Sequence, residues 1–196
     1  MPQAMKSFLK AYPAVNVRLE YRRTNHVYQA CVDGDVDLGI VALPSRRPGL
    51  VVLPLRPDEL VLALPPGHTL ARKKSLTLAD LDGERFVAFD RDIPTRKLID
   101  RALRTAGATV EYAMELDNIE TIKRSVEAGL GVSILPRAAL QTEVRARTLV
   151  ARKLAGRRFL RPIGVIRQRR RELSPAARQF LDRLTRELGD EPRAHA

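Results

Sequence analysis

The 196-residue chain is 44% apolar and 30% charged, carries a formal net charge of +12 and contains a single cysteine. That length suits one domain or two lobes of roughly 100 residues each, and the apolar share suffices for a core. It has no run of about 18 apolar residues to span a bilayer and no apolar signal segment, and one cysteine rules out an internal disulfide or a cysteine metal cluster; a cytoplasmic protein without membrane contact is expected.

Residues 2–12 place Met5, Phe8 and Leu9 at helical spacing before Pro13, which predicts a helix with one buried face. Val15, Val17, Leu19 and Tyr21 alternate with polar residues and predict a strand over residues 15–22. Thr24 and Asn25 then cap a helix reaching Gly34, in which Cys31 is a small buried thiol. Residues 37–43, DLGIVAL, are too apolar for a half-exposed strand and predict a central one, ended by Pro44 and a polar loop.

Residues 50–55 and 59–64 predict two further short strands, the second broken by Pro65-Pro66-Gly67. A helical turn over 77–81, a strand over 86–89 and a turn over 90–94 follow. Next comes a helix over 95–106 with Leu98, Ile99, Ala102 and Leu103 on its inner face, and Val110, Tyr112, Met114 and Leu116 alternate as a strand.

The stretch DNIETIKRSVEAGLGVSILP, residues 117–136, reads as helix, tight turn, buried strand and stop. Asn118 caps the helix, and Glu120 sits where the helix dipole favours an acid. Gly129 suits a left-handed residue past the last turn, and Gly131 permits close packing as the chain becomes strand. A helix to about residue 146, strands over 148–154 and 163–166, and a helix opened by Ser174-Pro175 with Phe180, Leu181 and Leu184 buried complete the expected order, with a frayed tail from Gly189.

The basic surplus is uneven: residues 141–196 hold fifteen Lys and Arg against six Asp and Glu, nine of the twelve excess charges. No nucleic-acid-binding motif surrounds these arginines, so a solvated basic edge is the ordinary explanation beside phosphate contact. His26, His68 and His195 are scattered and lack metal or triad spacing, so no catalytic residue, metal or cofactor is expected.

In α/β lobes ligands collect at the carboxyl ends of strands, where helix N-termini offer free amides and partial positive charge. Four such ends supply candidates: Thr24; Leu43, Pro44 and Ser45; Asp90, Ile93, Pro94, Thr95 and Arg96; and Asn118. A carboxylate or other oxyanion suits them. Thr95 leads the set, because a hydroxyl at a helix start bonds an oxyanion together with neighbouring amides, or simply caps the helix. Arg96 pairs with the anion or points to solvent. Asp90, which repels an anion, orients Arg91 or meets an amine. Pro44 and Ile93 shape walls, whereas Asn118 and Thr24 are explained well by capping.

Several motifs, in order, carry a resemblance: a helix ending in Tyr12-Pro13, DGDVDLGI over residues 33–40, Gly67-His68-Thr69-Leu70, residues 127–136, and Leu173-Ser174-Pro175-Ala176-Ala177-Arg178 with Phe180. Over nearly its whole length the chain resembles the effector-binding domain of LysR-type transcriptional regulators, although Thr69 stands where the family has proline. The resemblance implies an α/β fold of two Rossmann-like lobes joined by two crossing strands, as in type 2 periplasmic binding proteins, with the first strand of lobe one missing. The crossings would fall near residues 59–64 and 163–166, with lobe one formed by 1–61 plus 162–196 and lobe two by 62–161. It also implies a small effector between the lobes, with a polar contact near Thr95, self-association as dimer or tetramer, and DNA contact only through a helix-turn-helix domain that this chain lacks. A stand-alone solute-binding protein and an enzyme on the same fold are the alternatives; the first would ordinarily carry an export signal, the second a positioned acid or base.

Overall fold

Apolar alternation along two strands organises the N-terminal part of the chain. In the computed structural model, which describes residues 2–156 and 158–189, strand β1 (Gly39–Ala42) pairs antiparallel with β7 (Leu160–Gln168), Val41 facing Gly164 and Gly39 facing Ile166. Strand β2 (Leu50–Leu64) lies on the other side of β7. Successive residues on these strands point to opposite faces. Ile40, Leu53, Leu55 and Val165 pack with Ala4 of helix α1 (Pro2–Ala11) and with Leu181 and Leu184 of α6 (Pro175–Leu188). Val41, Val52 and Ile166 pack instead with Tyr28 and Cys31 of α2 (Thr24–Asp33).

The chain divides into two compact units, Met1–Pro57 with Pro162–Ala196, and Asp58–Arg161. Both passages between them lie inside strands, β2 at Pro57–Asp58 and β7 at Arg161–Pro162. The second unit contains a parallel pair, β3 (Arg85–Phe89) and β4 (Glu111–Leu116), joined by α3 (Pro94–Thr105). Helix α4 (Ile119–Glu127) leads into β5 (Ser133–Pro136), which pairs antiparallel with β2 at Leu60–Ala63. After a 3-10 turn come α5 (Gln141–Ala146) and β6 (Val150–Arg152), and β6 also pairs with β2. One apolar core fills this unit, with Leu62, Leu81, Val87, Ile122, Ile134 and Leu140 fully buried.

Three sequence expectations are corrected. Residues 15–22 form no strand; Leu19 is 55% and Tyr21 92% exposed, because no described strand lies alongside to take up their backbone hydrogen bonds. For the same reason β1, expected to be central, ends the strand order among the described residues, bonded there to β7. The two short strands expected over 50–64 are one continuous strand, since Pro57 sits in β2 where the chain changes units and its missing donor does not stop the strand. The tail expected beyond Gly189 lies outside the described residues.

The turns follow their sequence signals. Asn118 Oδ1 accepts from Thr121 N–H at 2.9 Å, and Ser174 Oγ accepts from Ala177 N–H at 3.2 Å. His68 caps a short 3-10 turn through Nδ1, so that turn forms with Thr69 in place of proline. At Gly131 a side-chain Cβ would sit 2.5 Å from the Arg85 carbonyl oxygen, which the β3 backbone holds in place. Gly131→Ala is therefore expected to lower unfolding stability by about 1–3 kcal/mol. An unchanged denaturation midpoint would contradict that close approach.

Cys31 is fully buried, and burial pushes its thiol up to about 11. At pH 8 roughly one molecule in a thousand would carry the thiolate, against about a quarter for a free thiol near 8.5. Iodoacetamide should leave folded protein unlabelled at pH 8 and label it rapidly in denaturant; fast labelling of folded protein would overturn this placement.

Candidate functional site

The expected site residues fall into two groups, one in each unit. In the first unit Leu43, Pro44 and Ser45 follow β1, and Thr24 opens α2. The residue capping α2 is Arg23, which makes no side-chain cap bond, so capping does not account for Thr24. Leu43 has φ 51°, a left-handed conformation that side chains other than glycine rarely hold, and its N–H donates to Pro162 O at 2.7 Å. Sequence reasoning missed the residue that holds this turn. Tyr28, 2% exposed, accepts at its hydroxyl from Ser45 N–H at 2.7 Å and donates to Ser45 O at 3.2 Å. The Arg47 guanidinium lies 4.0 Å over the Tyr28 ring and bonds Asn25 Oδ1. A large aromatic with a polar tip at an inward position of α2 was the available signal.

In the second unit β3 ends at Phe89, and Asp90 N–H donates to Leu116 O at 2.8 Å, which sets the 90–96 turn beside the loop carrying Asn118. Ile93 is the α3 N-cap and offers no side-chain bond; Pro94 occupies the first turn. Thr95 therefore lies inside the first turn rather than at the cap, and it is 2% exposed. Its hydroxyl oxygen accepts from Arg161 Nη1 at 3.2 Å, while Arg161 Nη2 donates to Asp58 Oδ2 at 2.5 Å. Arg161 is 9% exposed, and its Nε–H is buried with no hydrogen-bond partner. Neither Arg161 nor Asp58 was among the expected site residues, because an arginine in a basic C-terminal run reads as solvated surface.

Arg96 neither points to solvent nor stands ready for a ligand. It is 3% exposed and bonds Asp100 at 2.8 and 2.9 Å, Phe89 O at 2.7 Å and Glu115 at 3.2 Å, with its guanidinium 4.1 Å over the Tyr112 ring. Burial works against this charge, but the Asp100 hydrogen bonds and charge, with Tyr112 and Glu115, outweigh it and strengthen protonation. Arg91 is held by Glu115 at 3.1 Å, which lowers the Glu115 pKa. The Asn118 side chain serves as the α4 cap. Thr95 and Arg161 thus form a buried polar centre of this unit that retains unused donor capacity, at Arg161 Nε; the Ser133 hydroxyl is the other buried donor of the unit without a partner among the described residues.

The sequence matches the family model described as the LysR substrate binding domain over residues 1–189. The chain belongs to that family. It is 32% identical over 182 residues to the HTH-type transcriptional regulator YeiE of Escherichia coli (strain K12), covering 93% of this chain and 62% of the relative. It is 31% identical over 190 residues to a probable RuBisCO transcriptional regulator of Cyanophora paradoxa, covering 94% and 59%. The chain thus spans about three fifths of the length of these regulators. In fold it is similar to the Synechocystis PCC6803 CcmR regulatory domain solved in complex with 2-PG, with TM-score 0.85, 24% identity, and 95% of this chain and 89% of that one covered. The effector-binding domain of QuiR in complex with shikimate gives TM-score 0.80 at 20% identity, covering 95% and 88%. These likenesses establish the LysR effector-binding fold, that of type 2 periplasmic binding proteins.

Within this LysR domain, Tyr28 supplies the buried bonds of the Ser45 turn. Tyr28→Phe leaves the Ser45 N–H without its acceptor and should cost about 1–3 kcal/mol in chemical denaturation. A variant as stable as the parent would remove Tyr28 from that role.

Proposed function

We propose that this domain is the sensory part of a LysR-type transcriptional regulator, binding a small anionic metabolite at the start of α3 and performing no chemistry on it. The observation that carries this reading is the buried Thr95–Arg161 contact at 3.2 Å, with the Arg161 Nε–H unpartnered beside it. The first turn of a helix adds free amides and a partial positive charge, and a guanidinium offers a planar fork matched to carboxylate or phosphate. Two fold neighbours are named as complexes with 2-PG and shikimate, a phosphorylated acid and a carboxylic acid, which supports an acidic effector. Occupation of the site would alter how a helix-turn-helix domain of the full-length regulator, self-associated as dimer or tetramer, holds DNA. The cytoplasm is the compartment in which such a regulator works. Among the described residues no helix is long and apolar enough to cross a membrane.

Differential scanning fluorimetry with 2-phosphoglycolate, shikimate and inorganic phosphate tests the site. A ligand at a hundred times its Kd stabilises by about 2.7 kcal/mol. Thr95→Val, which keeps shape and removes the hydroxyl, should lose at least about half of any thermal shift. An undiminished shift in Thr95→Val would place the ligand elsewhere.

A further inference from the structure

The Arg161 guanidinium is incompletely used. Nε and Nη2 form one side of its fork, the side that accepts two oxygens of a carboxylate or phosphate at once. Asp58 Oδ2 takes Nη2 at 2.5 Å, whereas Nε–H stays buried and unbonded. Asp58 therefore fills half of a bidentate seat. The two partners also differ in burial: the Arg161 side chain is 11% exposed and the Asp58 side chain 31%. A carboxylate with that much access to water recovers hydration when it leaves its partner, but a buried guanidinium stripped of its anion does not. Arg161 can thus exchange one anion for another far more easily than it can stand alone.

From this we infer that Asp58 is a built-in competitor of the effector: an incoming carboxylate or phosphate displaces it from Arg161, taking Nη2 and the idle Nε together. The inference rests on the anion-sensing reading and adds a selectivity rule to it. A neutral ligand cannot replace the charge Asp58 supplies, so it leaves the pair intact; an anion with two oxygens in one plane offers one bond more than Asp58 does. Exchange also acts at a particular place in the chain, since Asp58 and Arg161 are the residues at which β2 and β7 pass between the two units. The exchange replaces one side-chain bond whose two residues stand at these passages, while the backbone pairing of β2 and β7 is kept.

Isothermal titration of the whole chain with inorganic phosphate and with 2-phosphoglycolate separates the outcomes. Asp58→Asn keeps the side-chain shape, removes the competitor's charge, and should tighten binding of both probes by about tenfold. Glu111→Gln, the same charge change at an exposed end of β4, should leave affinity within about twofold. Arg161→Gln should weaken binding by at least about tenfold, and adding Asp58→Asn to Arg161→Gln should restore nothing, because the competition acts through Arg161. Arg161→Lys, which keeps the charge without the fork, guards against misfolding of the Gln variant and should bind between the two. Anion binding that depends on Thr95 but is unaffected or weakened in Asp58→Asn overturns the exchange and leaves the sensing reading standing. A tightening that persists in the Arg161→Gln background also overturns it. Failure of both probes to bind either the parent or Asp58→Asn overturns the exchange and the anion reading together.

Discussion

A buried guanidinium must be matched by negative charge or by hydrogen-bond acceptors, and Arg161 is where that requirement shapes this domain. It is met at two of the three nitrogens: Thr95 Oγ1 takes Nη1, Asp58 takes Nη2, and Nε has no partner. Contrast Arg96, with three bonded partners and an aromatic face, whose charge is spent on holding α3 against β3 and β4. Both arginines are buried, yet one is fully engaged and the other keeps an unbonded N–H. Burial alone does not separate them; counting partners does. The incompletely bonded one sits on β7 next to Pro162, where the chain passes between its two units.

The first unit is built to a similar specification by different means. Its turn after β1 carries a leucine in a left-handed conformation, bonded through its N–H to Pro162 O, and a serine whose backbone is held from both sides by the Tyr28 hydroxyl. Backbone held in an unfavourable conformation by surrounding bonds is characteristic of places where a fold positions groups for recognition. Pro162 follows Arg161 directly, so the leucine turn and the arginine are tied to neighbouring residues of one strand. In this domain the Leu43 turn is tied to β7 by a hydrogen bond of 2.7 Å.

Much of this was legible in the sequence where a local rule decides the outcome. The Asn118 and Ser174 caps, the Gly129–Gly131 turn and the α3 helix with its inner face follow from capping chemistry, glycine geometry and periodicity, all of which act over a few residues. Strand status was less legible, because a strand exists only with a neighbour. The alternation of Val15 to Tyr21 is a sound strand pattern, and without a pairing strand among the described residues it stays irregular. The site divides the same way. Thr95 was singled out by a local feature, its place near a helix start after a strand, but its contact with Arg161 joins residues 66 positions apart. Arg161 and Asp58 are 103 positions apart, and nothing near either of them signals that they meet. Tyr28 escaped for the same reason: its role depends on Ser45, seventeen positions on. Arg96 shows the converse error, since its helix-start position suggested exposure and only the tertiary surroundings of Tyr112 and Glu115 reveal a buried fastener.

Where an oxyanion settles on this domain tests the account most directly. Crystals soaked in selenate, a tetrahedral anion with a strong anomalous signal, locate it without reference to any assumed effector. The account predicts a peak within hydrogen-bond reach of Arg161 Nε and Thr95 Oγ1, with the Asp58 carboxylate turned away. A peak elsewhere on the domain while the Asp58–Arg161 bond remains closed would contradict it.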